Sequence, residues 1–152
     1  MPNGSRENSA AVPTPLQCSL HSVAVQTADF EKALDFYARI LGLEVLRSPF
    51  QYKTRQLAWL GAGPVQIELY SIRAGMNPEP YDANRVGPDH VAFVTDDLDA
   101  LVSYFSQQNV KVLKGPLVPP SGDPQQPRVM FVEGPDGDEL QFREPDGWSR
   151  ST

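Results

Sequence analysis

The sequence predicts an α+β fold, a single domain in which one module of strand, helix and three strands is written twice. The stretch Ser22-Val-Ala-Val-Gln-Thr-Ala-Asp29-Phe-Glu-Lys-Ala-Leu-Asp-Phe-Tyr37 returns as His90-Val-Ala-Phe-Val-Thr-Asp-Asp97-Leu-Asp-Ala-Leu-Val-Ser-Tyr-Phe105. In both copies a strand of alternating pattern leads to an Asp that can cap a helix, and an amphipathic run follows. Val23/Val91, Ala24/Ala92, Thr27/Thr95, Asp29/Asp97 and Ala33/Leu101 all stand 68 positions apart. A second echo sets Gly61-Ala-Gly-Pro-Val-Gln-Ile-Glu68-Leu against Gly134-Pro-Asp-Gly-Asp-Glu-Leu-Gln141-Phe, 73 positions on.

In chain order, residues 1–17 are rich in Pro, Ser, Asn and Ala without periodicity and read as a disordered arm. The domain spans 18–145, with modules over about 19–72 and 88–145 and a C-terminal tail at 146–152. Leu20–Gln26 reads as a strand with Ser22, Ala24 and Gln26 on one face and Val23, Val25 and Thr27 on the other. Asp29 opens a helix in which Phe30, Ala33, Leu34, Tyr37 and Ile40–Leu41 fall on one stripe. Gly42 ends it, because glycine takes a left-handed cap at least cost. The second helix covers Leu98–Gln108, and Asn109, the next-best residue for that conformation, holds the equivalent stop.

Three strands follow in each copy. Leu43–Leu46 matches Val110–Leu113, Thr54–Leu60 matches Pro127–Val132, and Val65–Ser71 matches Asp138–Arg143. Asp136-Gly137 marks a tight hairpin turn. The proline-rich stretches Arg73–Pro88 and Gly115–Pro127 read as loops, and long loops in a small domain are candidates for lids over a pocket.

Composition removes several classes of function. With 152 residues, 40% hydrophobic and 21% charged, the chain suits one soluble globular domain. A net charge of −6 argues against nucleic acid, whose phosphates it would repel. No apolar run approaches the ~20 residues that span a bilayer, so no membrane partner is expected. The N-terminus lacks the basic and apolar regions of a signal peptide, and the single cysteine, Cys18, cannot form an internal disulfide; both suit a cytoplasmic protein. Nothing near Cys18 in the sequence supplies a base or cation to activate it. Gly61-Ala-Gly63 lacks the rest of either glycine-rich phosphate fingerprint, so no nucleotide cofactor is expected. No Cys-x-x-Cys occurs, and no Cys–His or Ser–His–Asp set is suggested by spacing.

The repeat and its motifs resemble the vicinal oxygen chelate superfamily, which includes glyoxalase I, methylmalonyl-CoA epimerase, extradiol dioxygenases, fosfomycin-resistance proteins and bleomycin-binding proteins. The resemblance covers about residues 19–145. It rests on the paired strand-Asp-helix openings, Phe36-Tyr37-Ala-Arg-Ile-Leu-Gly42-Leu, Ile67-Glu68-Leu69, Asp89-His90-Val-Ala-Phe93 and Gly134-Pro-Asp-Gly137. It implies a glyoxalase-like pair of open half-barrels, with one divalent metal ion held between them by a residue on the first and the last strand of each module. Carried onto this chain, those positions are Ser22, Glu68, His90 and Gln141. Glu68 and His90 keep the family pattern of His or Gln, Glu, His and Glu, whereas Ser22 and Gln141 depart from it. A hydroxyl is a poor neutral ligand and Gln141 removes one negative charge, so the resemblance implies an altered, weaker or lost metal site. His21 needs a bulge to replace Ser22, since a shift of one residue turns a side chain to the opposite face. Glu139 shares the face of Gln141, one pair along.

Each candidate also has an ordinary structural reading. If Ile67 and Leu69 pack under the helices, Glu68 points to the other side, where an ionised carboxylate needs a partner or a task; otherwise it lies on a solvated face. A lone strand histidine is more often a satisfied structural residue than a ligand, a reading that the family register weakens for His90 and leaves in place for His21. Ser22 and Gln141 read also as polar filler beside a pocket. Tyr70, Gln26, Gln66 and Arg143 share the parity of the candidate site, or else lie on its rim. Trp59, Phe36, Tyr37, Phe105 and Phe131 are core or pocket wall.

Three functions follow from the resemblance. The first is a small-molecule enzyme of isomerase, epimerase or lyase type, placed in secondary metabolism by family analogy, with Glu68 and His90 exchanging protons across a cleft and Ser22, Gln141, Tyr70 and Gln26 binding substrate. The second is a non-catalytic drug- or metabolite-binding protein of the bleomycin-resistance type, for which the negative charge suits a cationic ligand. A metal-dependent dioxygenase is the third and weakest, since two His and one carboxylate do not occupy the matched positions. A homodimer is expected, with sites within one chain or between two.

Overall fold

The computed structural model describes residues 18–120 and 125–147, and in them the repeated module is present twice. The first copy contains β1 (Ser22–Thr27), α1 (Phe30–Leu34) with a π-helical continuation over Asp35–Ile40, β2 (Glu44–Tyr52), β3 (Arg55–Ala62) and β4 (Val65–Ser71). The second contains β5 (Val91–Val94), α2 (Leu98–Gln107), β6 (Val112–Leu117), β7 (Val129–Glu133) and β8 (Glu139–Arg143). The sheets run β1-β4-β3-β2 and β5-β8-β7-β6, each with its first strand parallel to its last.

Local chemistry explains the element boundaries. Asp29 accepts from Lys32 N at 3.1 Å and Asp97 from Ala100 N at 2.9 Å, satisfying donors that the first helical turn leaves open. Gly42 and Asn109 both take positive φ, +71° and +58°, at the helix stops. The hairpin before β8 closes with Gly137 N on Gly134 O at 3.1 Å. Parallel pairing aligns Ala24 with Glu68 and Ala92 with Gln141, so the two offsets read from the sequence describe one superimposable register.

Alternation buries one face of each sheet. Ala58, Leu60, Ile67 and Leu69 join Phe30, Ala33, Phe36 and Tyr37; Met130, Val132, Leu140 and Phe142 join Leu98 and Phe105. All belong to one hydrophobic cluster, so the helices and the apolar faces of both sheets share a core. Phe105, fully buried and edge-on to Phe142, contributes roughly 2–3 kcal/mol relative to an exposed ring. The copies are fastened by Tyr104 OH donating to Ile40 O at 2.8 Å, Arg39 Nη1 to Gln108 Oε1 at 2.9 Å, and Ala28 N to Asp136 Oδ1 at 2.8 Å.

Three boundaries differ from expectation. The second strand, expected over Leu43–Leu46, continues to Tyr52, because two register shifts against β3 absorb the irregular segment around Pro49. An edge strand tolerates a proline that a central one would not. Its counterpart β6 begins at Val112 and extends through Gly115 and Pro116 to Leu117, into the stretch expected to be loop. The first helix keeps α geometry for five residues only; its last turn widens, with Leu41 N bonded to Phe36 O at 2.9 Å. The expected arm at 1–17 and most of the tail at 146–152 lie outside the described residues, as does the centre of the Gly115–Pro127 loop. No helix among the described residues is long and apolar enough to cross a membrane.

Candidate functional site

Because Ile67 is 2% and Leu69 0% exposed in the core, Glu68 between them turns to the opposite face of β4. There it meets two hydroxyls. Ser22 Oγ donates to Oε1 at 2.7 Å and Tyr70 OH to Oε2 at 3.1 Å, so both carboxylate oxygens are oriented. Burial of the Tyr70 phenol, reinforced by its bond to Glu68, raises its pKa above the usual tyrosine value. Gln26 does not reach Glu68. Its Oε1 accepts from Arg55 Nη2 at 2.7 Å, while Arg55 also donates to Ser71 O and lies 4.4 Å over the Tyr70 ring.

The same face carries a feature that sequence reading missed. Across β4, β3 and β2, Glu68, Trp59 and Arg47 are cross-strand neighbours in one row. The Arg47 guanidinium lies 3.6 Å over the Phe50 ring and 5.1 Å from the Trp59 centroid. The Trp59 Nε1 is buried without a hydrogen-bond partner among the described residues. Strict alternation from Val45, which pairs with core Leu60, would set Arg47 opposite Ala58 on the core side. The register shift between Val45 and Arg47 brings it across from Trp59 instead, and the sequence does not signal that shift.

On the second sheet His90 stands just before β5 with its side chain 27% exposed. Its Nδ1 lies 2.6 Å from Asp89 Oδ2, and its ring meets Phe131 edge-on at 5.3 Å. Asp89, as an acceptor, places a proton on Nδ1 and leaves Nε2 for other partners. Gln141 is half-buried on β8, directly across from Phe131. Glu139 pairs with Glu133 at the start of that strand, and Arg143 donates to Asp146 at 2.7 Å. Pairing of β1 with β4 is unbroken from Ser22 to Thr27, so no bulge turns His21 inward; it stays exposed before the strand.

The structure therefore assembles two sets: Ser22, Glu68 and Tyr70 on the first sheet, and His90 and Phe131 beside Gln141 on the second. Among the described residues no hydrogen bond or ion pair joins one set to the other within the chain.

The family model described as the Glyoxalase/Bleomycin resistance protein/Dioxygenase superfamily matches residues 19–149. The chain belongs to that superfamily. It is 32% identical over 130 residues to the uncharacterized protein YaeR of Escherichia coli, covering 82% of this chain and 95% of that one. It is 30% identical over 128 residues to a lactoylglutathione lyase of Neisseria meningitidis, covering 81% and 87%. Among solved structures, a glyoxalase family protein from Enterococcus faecalis aligns with TM-score 0.70 at 22% identity, over 83% of this chain and 97% of that one. A glyoxalase I from Leishmania major aligns with TM-score 0.66 at 22% identity, over 84% and 87%. These two likenesses establish the glyoxalase-like fold.

Members of this superfamily commonly use a divalent metal ion. The donors at the four matched positions here do not fit a tightly held one. Ser22, Glu68, His90 and Gln141 together offer one negative charge, and Ser22 spends its proton on Glu68. Among the described residues no three His, Cys, Asp or Glu side chains gather where they could hold an ion.

Proposed function

We propose that this protein is a small-molecule enzyme that moves a proton on carbon beside a carbonyl, as an isomerase, epimerase or lyase. The observation that carries this reading is the Glu68 carboxylate, oriented through both oxygens by Ser22 and Tyr70 on the polar face of β4. Each carboxylate oxygen accepts more than one bond, so a lone pair remains free to take a proton from substrate. The C–H electrons then move onto the carbonyl oxygen as an enolate. Protonated Glu68 no longer needs the Ser22 hydroxyl, which turns with the Gln141 amide toward that oxygen. His90, in its imidazolium form with Nδ1–H on Asp89, gives its Nε2 proton to carbon, and exchange with water then reprotonates His90 and removes the proton from Glu68.

Glu68 and His90 act together when a second copy of the chain closes the site. Their polar faces turn away from a core that both modules share, which supports a homodimer in which the first sheet of one chain faces the second sheet of the other. A second reading, ligand sequestration without turnover, draws support from the aromatic surfaces of Trp59 and Phe131 beside the same residues.

Deuterium exchange at the acidic carbon of small ketones and oxo acids, followed by NMR, tests the proposal. Glu68→Gln is expected to slow exchange by about 100-fold or more at unchanged melting temperature. A fully active variant would sink the enzyme reading, and tight binding without exchange would favour sequestration.

A further inference from the structure

We infer that Arg47 is a carboxylate-binding residue, and that the substrates are small oxo acids. The inference rests on the proton-transfer reading for the role of Glu68, and on separate geometry for Arg47. Among the described residues three arginines are committed to carboxylates: Arg39 to Asp35, Arg128 to Asp99 and Glu144, and Arg143 to Asp146. Arg47 has no such partner among the described residues. It is exposed, yet its plane is fixed by the Phe50 ring beneath it and the Trp59 ring beside it. A guanidinium held by stacking keeps its edge donors for an incoming ligand, and their fork matches the two oxygens of a carboxylate.

Placement specifies the ligand further. Arg47, Trp59 and Glu68 occupy one cross-strand row, with Trp59 between the strand that carries the cation and the strand that carries the base. A ligand that reaches both across Trp59 carries its carboxylate on a short spacer from its acidic carbon rather than on that carbon itself. The spacer lies along Trp59, whose aromatic edge favours an apolar chain. In a protein of net charge −6, this face thus selects an anion through Arg47, opposite to the preference the overall charge suggests.

Benzoylpropionate has this spacing, and its methyl ester is a neutral control of nearly equal shape. Calorimetric titration of the full-length protein is expected to show the acid binding at least about tenfold more tightly than the ester. That preference should fall within about twofold in Arg47→Met and be partly kept in Arg47→Lys, whose point charge lacks the fork. Equal affinity for acid and ester, binding of neither, or a preference that survives in Arg47→Met would each overturn the assignment. In the exchange assay, Arg47→Met should raise KM for the acid and lower its kcat/KM by a larger factor than it lowers the ester's. A binding preference that depends on Arg47, without any exchange, would leave the subsite standing and remove the proton-transfer reading. Exchange indifferent to Arg47 would do the reverse.

Discussion

Glu68→Gln and His90→Ala, made in separate chains and then combined, test whether the site is shared between two copies. In the structure these residues sit on different sheets, and the helices of both modules lie in the core that the sheets' other faces share. A two-fold dimer that pairs the first sheet of one chain with the second sheet of its partner draws one residue from each. Each parent homodimer then has both sites damaged and retains about 1% activity or less. In a mixed dimer, one site receives both substitutions and the other receives neither. Equal mixing makes about half the dimers mixed, so about a quarter of all sites are restored, a rise of roughly 25-fold over either parent. Subunits would be exchanged in dilute denaturant, mixed dimers counted by native mass spectrometry, and deuterium exchange measured before and after. Abundant mixed dimers with activity no higher than the parents would refute the reasoning and return the site to a single chain.

Two further predictions concern stability. The Arg128 guanidinium bonds Asp99 and Glu144 and holds both carboxyls below their usual range. Groups with lowered folded pKa stabilise above the unfolded value, about 4, and lose that effect as pH falls through the folded one. Arg128→Met should therefore lower the melting temperature slightly at pH 7, with the gap to wild type closing under acid; a gap that widens toward pH 3 would contradict the sign. At Gly115, with φ +87°, an added Cβ would lie 2.5 Å from Val129 O, whereas at Gly42, with φ +71°, it would meet nothing within 4 Å. Urea unfolding should show Gly115→Ala losing about 2–3 kcal/mol and Gly42→Ala about 1 kcal/mol, and equal losses would show that the close approach is not limiting.

What sequence made legible was whatever depends on periodicity and on residues with one cheap conformation. The alternation through Ile67-Glu68-Leu69 placed Glu68 correctly because the core fixes parity in a regular strand. Asn109 was readable as a helix stop because few non-glycine residues accept positive φ. The continuation of β2 beyond Leu46 was not readable, since Pro49 signals a break and only the edge position reveals that one is harmless. Arg47 went unnoticed because an unbroken count from Val45 sets it against Ala58, and only the register shift aligns it with Trp59. The widened helical turn left no trace, because apolar spacing over one turn does not distinguish α from π geometry. Hydroxyl bonding to Glu68 from Ser22, 46 positions away, emerged only once β1 and β4 were side by side.

Tyr104 and its bond to Ile40 O carry a consequence for motion. A carbonyl near a helix end has no partner further along its own helix, and here the other module supplies one. Swinging the modules apart would break that bond and bring water onto the apolar surface that both modules share. Opening a hinge at this seam is therefore costly. Cheap motion belongs instead to the bulged edges of β2 and β6, which lie away from that seam.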